Sequence, residues 1–121
     1  MRPMAADGVL THGDFVGRLL ESVPEVEPAV REHFDDNDEL LLHLLMADLL
    51  RAAVRLFHAG ELETEQRLIR FIDLALRHGD AAVENAVRVS FVEHAGAFPE
   101  ETPKFLASWP PGLRAELGGG A

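Results

Sequence analysis

Glu39 and His43 stand four residues apart, a spacing that on a helix lets a carboxylate and an imidazole share one divalent ion or one proton, and His33 precedes them closely enough to approach from a neighbouring helix. A metal centre needs more than this. Zincin-type sites set two histidines around a glutamate on one helix, and carboxylate di-iron sites repeat Glu-x-x-His with two further acids; neither pattern occurs in the chain. Asp36 and Asp38 alternate as calcium ligands do, but Leu40, Leu41 and Leu42 fall where an EF-hand needs oxygen donors and a tight turn. Ser90 and His94 are one helical turn apart, a nucleophile and a base in principle. No Gly-x-Ser-x-Gly elbow, preceding strand or oxyanion donor accompanies them, so Ser90 is expected to bond back to its own helix. No metal, cofactor or catalytic site is therefore expected, and an enzyme using Glu39, His43 and Asp48 is the weakest of three functional alternatives.

Asp48 lies between apolar neighbours, where an unpaired carboxylate is costly, and Arg51 and Arg55 follow it by one and two turns. His43, Asp48, Arg51 and Arg55 are accordingly read as structural polar residues. The densest charge lies just upstream. Glu25, Glu27, Glu32, Asp35, Asp36, Asp38 and Glu39 fall within residues 25–39 against Arg31 alone. Helix capping and dipole preferences explain some of these acids; the functional reading is an electrostatic face for a basic protein. Arg51, Arg55, Arg67, Arg70 and Arg77 gather further along, where pairing with Asp48, Glu63 and Asp73 is expected.

The elements that must hold these residues follow from apolar spacing. Phe15, Val16, Leu19 and Leu20 recur by three and four and predict a helix over about 14–23, ended by Pro24. A second helix is expected over about 27–34, with Pro28 in its first turn. The centrepiece is a helix over about 38–58 with Asp38 as N-cap and Gly60 past its end; at about 100° per residue its leucines cover half or more of its circumference. A fourth helix, about 61–78, buries Leu68, Ile69, Ile72, Ala75 and Leu76 and turns Gln66, Arg70, Asp73 and Arg77 outward, with Glu61, Glu63 and Glu65 as its acidic first turn. A fifth runs from about Asp80 to Gly96; its run Val87–Val92 is strand-like, but no second strand is available to pair with it. Short helices over 104–108 and 112–117 cover the core with Phe105, Leu106, Trp109 and Leu113. The fold class is all-α: one domain over 14–117 of about five main helices around the central one, with a flexible N-terminus over 1–13 and a disordered tail over 118–121.

A chain of 121 residues, 47% hydrophobic and 26% charged, suits one folded domain. The lack of cysteine excludes disulfides, thiolate metal sites and cysteine nucleophiles. A formal charge of −10 repels nucleic acid and anionic lipid. Residues 1–8 lack the apolar segment of a signal peptide, and the longest apolar stretch is broken by His43 and Asp48, so a cytoplasmic, non-membrane protein is expected.

The run Glu39-Leu40-Leu41-x-His43 continuing to Asp48-Leu49, the stretch 67–76 and the run Val89-Ser90-Phe91-x-Glu93 together resemble a family of small bacterial helical proteins of uncharacterised function, over about residues 14–117. His43, Asp48, Ser90, Phe91 and Glu93 carry the pattern. The resemblance implies a stand-alone helical protein and imports no activity; small acidic helical proteins of this kind include immunity partners of bacterial toxins. The leading expectation is thus a non-enzymatic protein-binding module, an immunity- or antitoxin-like inhibitor whose segment 25–39 docks a basic partner. The alternative is a structural or regulatory homodimer formed through apolar surface around Phe105 and Trp109.

Overall fold

The computed structural model describes residues 10–92, 103–107, 109–111 and 113–114. Among them the secondary structure is helical, and the only β pairing is an isolated bridge. The order is α1 (Phe15–Ser22), a 3₁₀ turn (Pro24–Val26), α2 (Glu27–Asn37), α3 (Leu42–His58), α4 (Leu62–His78), α5 (Ala81–Ala86), a π-helical continuation (Val87–Val92) and α6 (Pro103–Ala107). The all-α class is thereby established. No helix among the described residues is long and apolar enough to cross a membrane.

α3 is the centre, packed against α2, α4, α5 and the π segment. Leu45, Met46, Leu49, Leu50 and Ala53 on it are fully buried, as the width of its apolar stripe requires. Val54 joins them, while Leu56 and Phe57 pack at the margin. α1 docks through Phe15 and Leu19, with the Phe15 ring edge-on to Phe71 of α4 at 5.4 Å. The other end is closed by aromatics: Phe105 meets Phe57 at 5.5 Å and Trp109 at 5.8 Å, and Trp109 meets Phe91 at 5.5 Å. Phe105 and Trp109, around which a homodimer surface was expected, are buried as core residues.

Several boundaries depart from the spacing. α3 begins at Leu42, not near Asp38, and α2 runs on to Asn37. Asp38 is not the N-cap of α3. It closes α2 in the left-handed conformation, φ 61°, its N–H donated to the carbonyl of Phe34 at 3.0 Å; aspartate tolerates that geometry better than most residues. On α4, Asp73 is buried rather than outward, and Glu65 of the acidic first turn is buried as well. Asp73 is accompanied by Arg77, whose Nε and Nη2 lie 3.1 and 2.9 Å from Oδ2. Val87–Val92 is helical and not a strand, but it is widened to the π form, which buries Val87, Ser90 and Phe91 and exposes Val89. His94, Gly96, the far end of the expected 112–117 helix and the tail 118–121 lie outside the described residues.

The stretch 1–13, expected to be loose, supplies a core residue. Leu10 is buried, its N–H donates to the carbonyl of His78 at 2.7 Å, and its carbonyl accepts the N–H of Asp80 at 2.9 Å. This close approach passes Gly79. A Cβ on Gly79 would lie 2.4 Å from the carbonyl oxygen of Ala75 and 2.5 Å from Cγ1 of Val83, so only glycine fits there. Asp80 locks the junction: Oδ1 accepts the N–H of Val83 at 2.9 Å, capping α5, and Oδ2 accepts the N–H of His12 at 3.1 Å. The Val83 bond foremost, with the His12 bond behind it, holds the Asp80 carboxyl below its ordinary value.

Gly79→Ala is expected to cost about 3 kcal/mol in urea unfolding, the upper range for overpacking against backbone. Because Asp80 has its folded-state pKa depressed, its contribution is complete above the unfolded value and lost as pH falls through the folded one. Asp80→Asn should therefore flatten the loss of stability below about pH 4, as read from urea midpoints taken between pH 5 and pH 3.

Candidate functional site

The acidic segment divides into two parts with different fates. Glu25, on the 3₁₀ turn, is bound by both terminal nitrogens of Arg67 of α4, at 3.0 and 2.5 Å, and this guanidinium contact is the main cause of its lowered pKa. Arg67 had been expected to pair with Glu63; its actual partner ties α4 to the turn before α2. Glu27 pairs with Arg31 one turn on, Oε1 to Nη2 at 2.5 Å. Both acids are committed within the fold.

Glu32, Asp35, Asp36, Asp38 and Glu39 are exposed, and among the described residues none of them takes part in an ion pair or side-chain hydrogen bond. Glu32 stands mid-helix, and Asp35, Asp36, Asp38 and Glu39 gather at the C-terminal end of α2, whose last turn carries no basic residue. The capping explanation suggested by the sequence placed these acids at a helix start. They stand at a helix end, where the peptide dipole is negative and a carboxylate is unfavourable.

His33 holds this end in place. Its side chain is fully buried, and Nε2 accepts the N–H of Leu41 at 3.1 Å, just ahead of α3. The other ring nitrogen, Nδ1, faces Oδ2 of Asp48 at 3.9 Å and the amide nitrogen of Asn37 at 3.5 Å. Asn37 adds a bond from its amide nitrogen to the His33 carbonyl at 2.8 Å. Asp48 is also paired with Arg51, as its spacing suggested, whereas Arg55 joins no ion pair among the described residues and lines a shallow recess beside Glu25 and Ala29. Sequence reasoning weighed His33 only as a metal ligand. Its role as a tie between α2 and α3 has no signature in spacing, because the partner is a backbone amide.

His43 points elsewhere. Its Nδ1 lies 2.8 Å from Oγ of Ser90, so these two residues of the family-like motifs meet across α3 and the π segment. Ser90 is buried, and its hydroxyl lies within hydrogen-bond distance of His43 on α3. His33 and His43 thus turn to different partners and do not converge with Glu39 on an ion. Among the described residues no three of the histidines and carboxylates form a group that could hold a metal. The arrangement is suited to presenting fixed negative charge.

Beside the acidic end lies a recess of about 460 Å³ between the entry to α3 and α5, with Leu40, Leu41 and His43 on one side, Ala82 and Asn85 on the other and His12 at the rim.

His33→Leu should destabilise the protein by about 2 kcal/mol in urea unfolding, since it leaves the Leu41 N–H without its acceptor. His43→Ala, at an exposed position, should cost about 1 kcal/mol or less. The reverse order would remove the tying role from His33.

Comparison with the curated proteins and with the solved structures found no match. The family model described as a domain of unknown function, DUF7674, matches residues 16–119, from the second residue of α1 to beyond the last described helix, and the chain belongs to that family.

Proposed function

We propose that the protein is a non-enzymatic binding module that docks a basic protein through Glu32, Asp35, Asp36, Asp38 and Glu39. The observation that carries this reading is the position of Asp35, Asp36 and Asp38 at the negative end of α2, with Glu32 one turn before them and Glu39 just beyond, and with no intramolecular cation partner for any of the five among the described residues. Asp35 and Asp36, in the last turn, weaken the helix they stand on. Charge kept at a cost in stability is well suited to a task outside the fold, and steering a cationic partner is the task it performs best. Glu25 and Glu27 drop out of the docking face because Arg67 and Arg31 already occupy them.

In its most specific form the reading is an immunity- or antitoxin-like inhibitor acting in a bacterial cytoplasm. The acidic helix end would cover the basic catalytic surface of a toxin or nuclease, taking the place that a phosphate backbone would hold. The net charge of −10 supports rapid association with such a surface and disfavours binding to nucleic acid itself.

Two measurements test it. In affinity capture from cells that make the protein, a basic partner should be retained by the wild type, released by rising salt, and lost with the variant Glu32→Gln, Asp35→Asn, Asp36→Asn, Asp38→Asn, Glu39→Gln; retention of the same proteins by both baits would refute the docking face. In urea unfolding, Asp35→Lys and Asp36→Lys should each stabilise the free protein by about 0.5 kcal/mol, the usual size of a helix-dipole effect. A loss of stability would mean that these acids serve the fold after all.

A further inference from the structure

Resting on the docking reading, we propose that the recess beside the acidic end receives an apolar side chain of the partner, so that the partner segment is cationic and amphipathic: one bulky aliphatic or aromatic anchor flanked by lysine or arginine. The recess and the acids are continuous in the chain. Leu40 and Leu41, on its wall, directly follow Asp38 and Glu39, so a segment seated on the carboxylates has an apolar slot next to it. At about 460 Å³ the recess falls in the range of pockets that bury small ligands and exceeds what a leucine or phenylalanine side chain requires. It is lined by the apolar Leu40, Leu41, Leu42 and Ala82 together with the polar His12, His43 and Asn85.

Charge decides between occupants. Asp38 and Glu39, exposed and without an ion pair among the described residues, directly precede the Leu40–Leu41 wall of the recess, which favours a segment carrying lysine or arginine. A second copy of this chain brings a net charge of −10 to that face, and an anionic lipid surface is repelled in the same way. A purely ionic partner would leave the leucine-lined slot unfilled. The geometry points to a segment that supplies both terms, the hydrophobic one setting the residence time and the ionic one the approach.

The test uses the full chain and two synthetic peptides of equal length and charge, one with leucine and lysine at amphipathic helical spacing and one with serine in place of leucine. Affinities are read by calorimetry or anisotropy at moderate and high salt. The wild type should bind the leucine peptide about tenfold or more tightly than the serine peptide, the difference persisting at high salt. Ala82→Phe and Asn85→Trp, both at exposed positions on α5, fill the recess and should abolish that preference while leaving the serine peptide's affinity and the thermal unfolding unchanged. Equal affinity of the wild type for both peptides, or a preference that survives both substitutions, would overturn the recess and leave the acidic face standing. Failure of the wild type to bind either peptide at moderate salt would overturn both readings.

Discussion

The N–H of Leu41 donated into the buried ring of His33 is the bond on which the placement of the charged face depends. A helix start leaves several backbone donors without intrahelical partners, and side-chain oxygens commonly satisfy one of them. α3 has no side-chain cap of that kind. The acceptor comes instead from the preceding helix, so α2 must end where His33 can reach across, and the four residues Asp38–Leu41 are confined between the two helices. Asp38 adopts a left-handed backbone to make that turn. The carboxylates crowded at this point are consequently held outward by a connection that is itself tied to the core.

Behind that connection the molecule is organised by one helix. α3 buries so much of its circumference that it needs neighbours on several sides, and α2, α4, α5 and the π segment supply them. Where α4 gives way to α5, Gly79 leaves the room that the Ala75 carbonyl and Val83 require, and Asp80 fastens the start of α5 to the chain at His12. The aromatic cluster of Phe57, Phe91, Phe105 and Trp109 closes the opposite end, edge-on contacts among rings taking up an irregular space that aliphatic side chains fill less well. The π-helical turn belongs to the same packing, presenting both Ser90 and Phe91 inward from adjacent positions.

Charge in this protein is sorted by use. Arg31, Arg51, Arg67, Arg77 and Arg88 are each paired with an acid. The Glu25–Arg67 bond joins elements distant in sequence, whereas several others are intrahelical and, being exposed, contribute little to stability. Among the described acids outside these pairs, five fall within residues 32–39, the last two directly before an apolar recess, while Asp14, Glu21, Glu61 and Glu63 are dispersed elsewhere. Negative charge beside apolar surface is a combination that matches cationic, amphipathic protein surface better than it matches water, nucleic acid or lipid.

The sequence by itself determined the helical class, the central helix and most of its buried face. Apolar residues recurring by three and four are a local signal, and so large a stripe as Leu45, Leu49, Leu50 and Ala53 make on α3 cannot be left in water. It determined the Asp48–Arg51 pair for the same reason, since residues three apart on a helix are neighbours wherever the helix lies. Tertiary structure alone decided the rest. An acid before a leucine run reads equally well as the start of one helix or the end of another, and a buried imidazole in α2 settled which; Asp73, at the margin of the apolar face of α4, is buried although its spacing read as outward. The meeting of His43 with Ser90, the capture of Glu25 by Arg67 and the recess beside Glu39 each join residues far apart in the chain, and local periodicity carries no information about such distances.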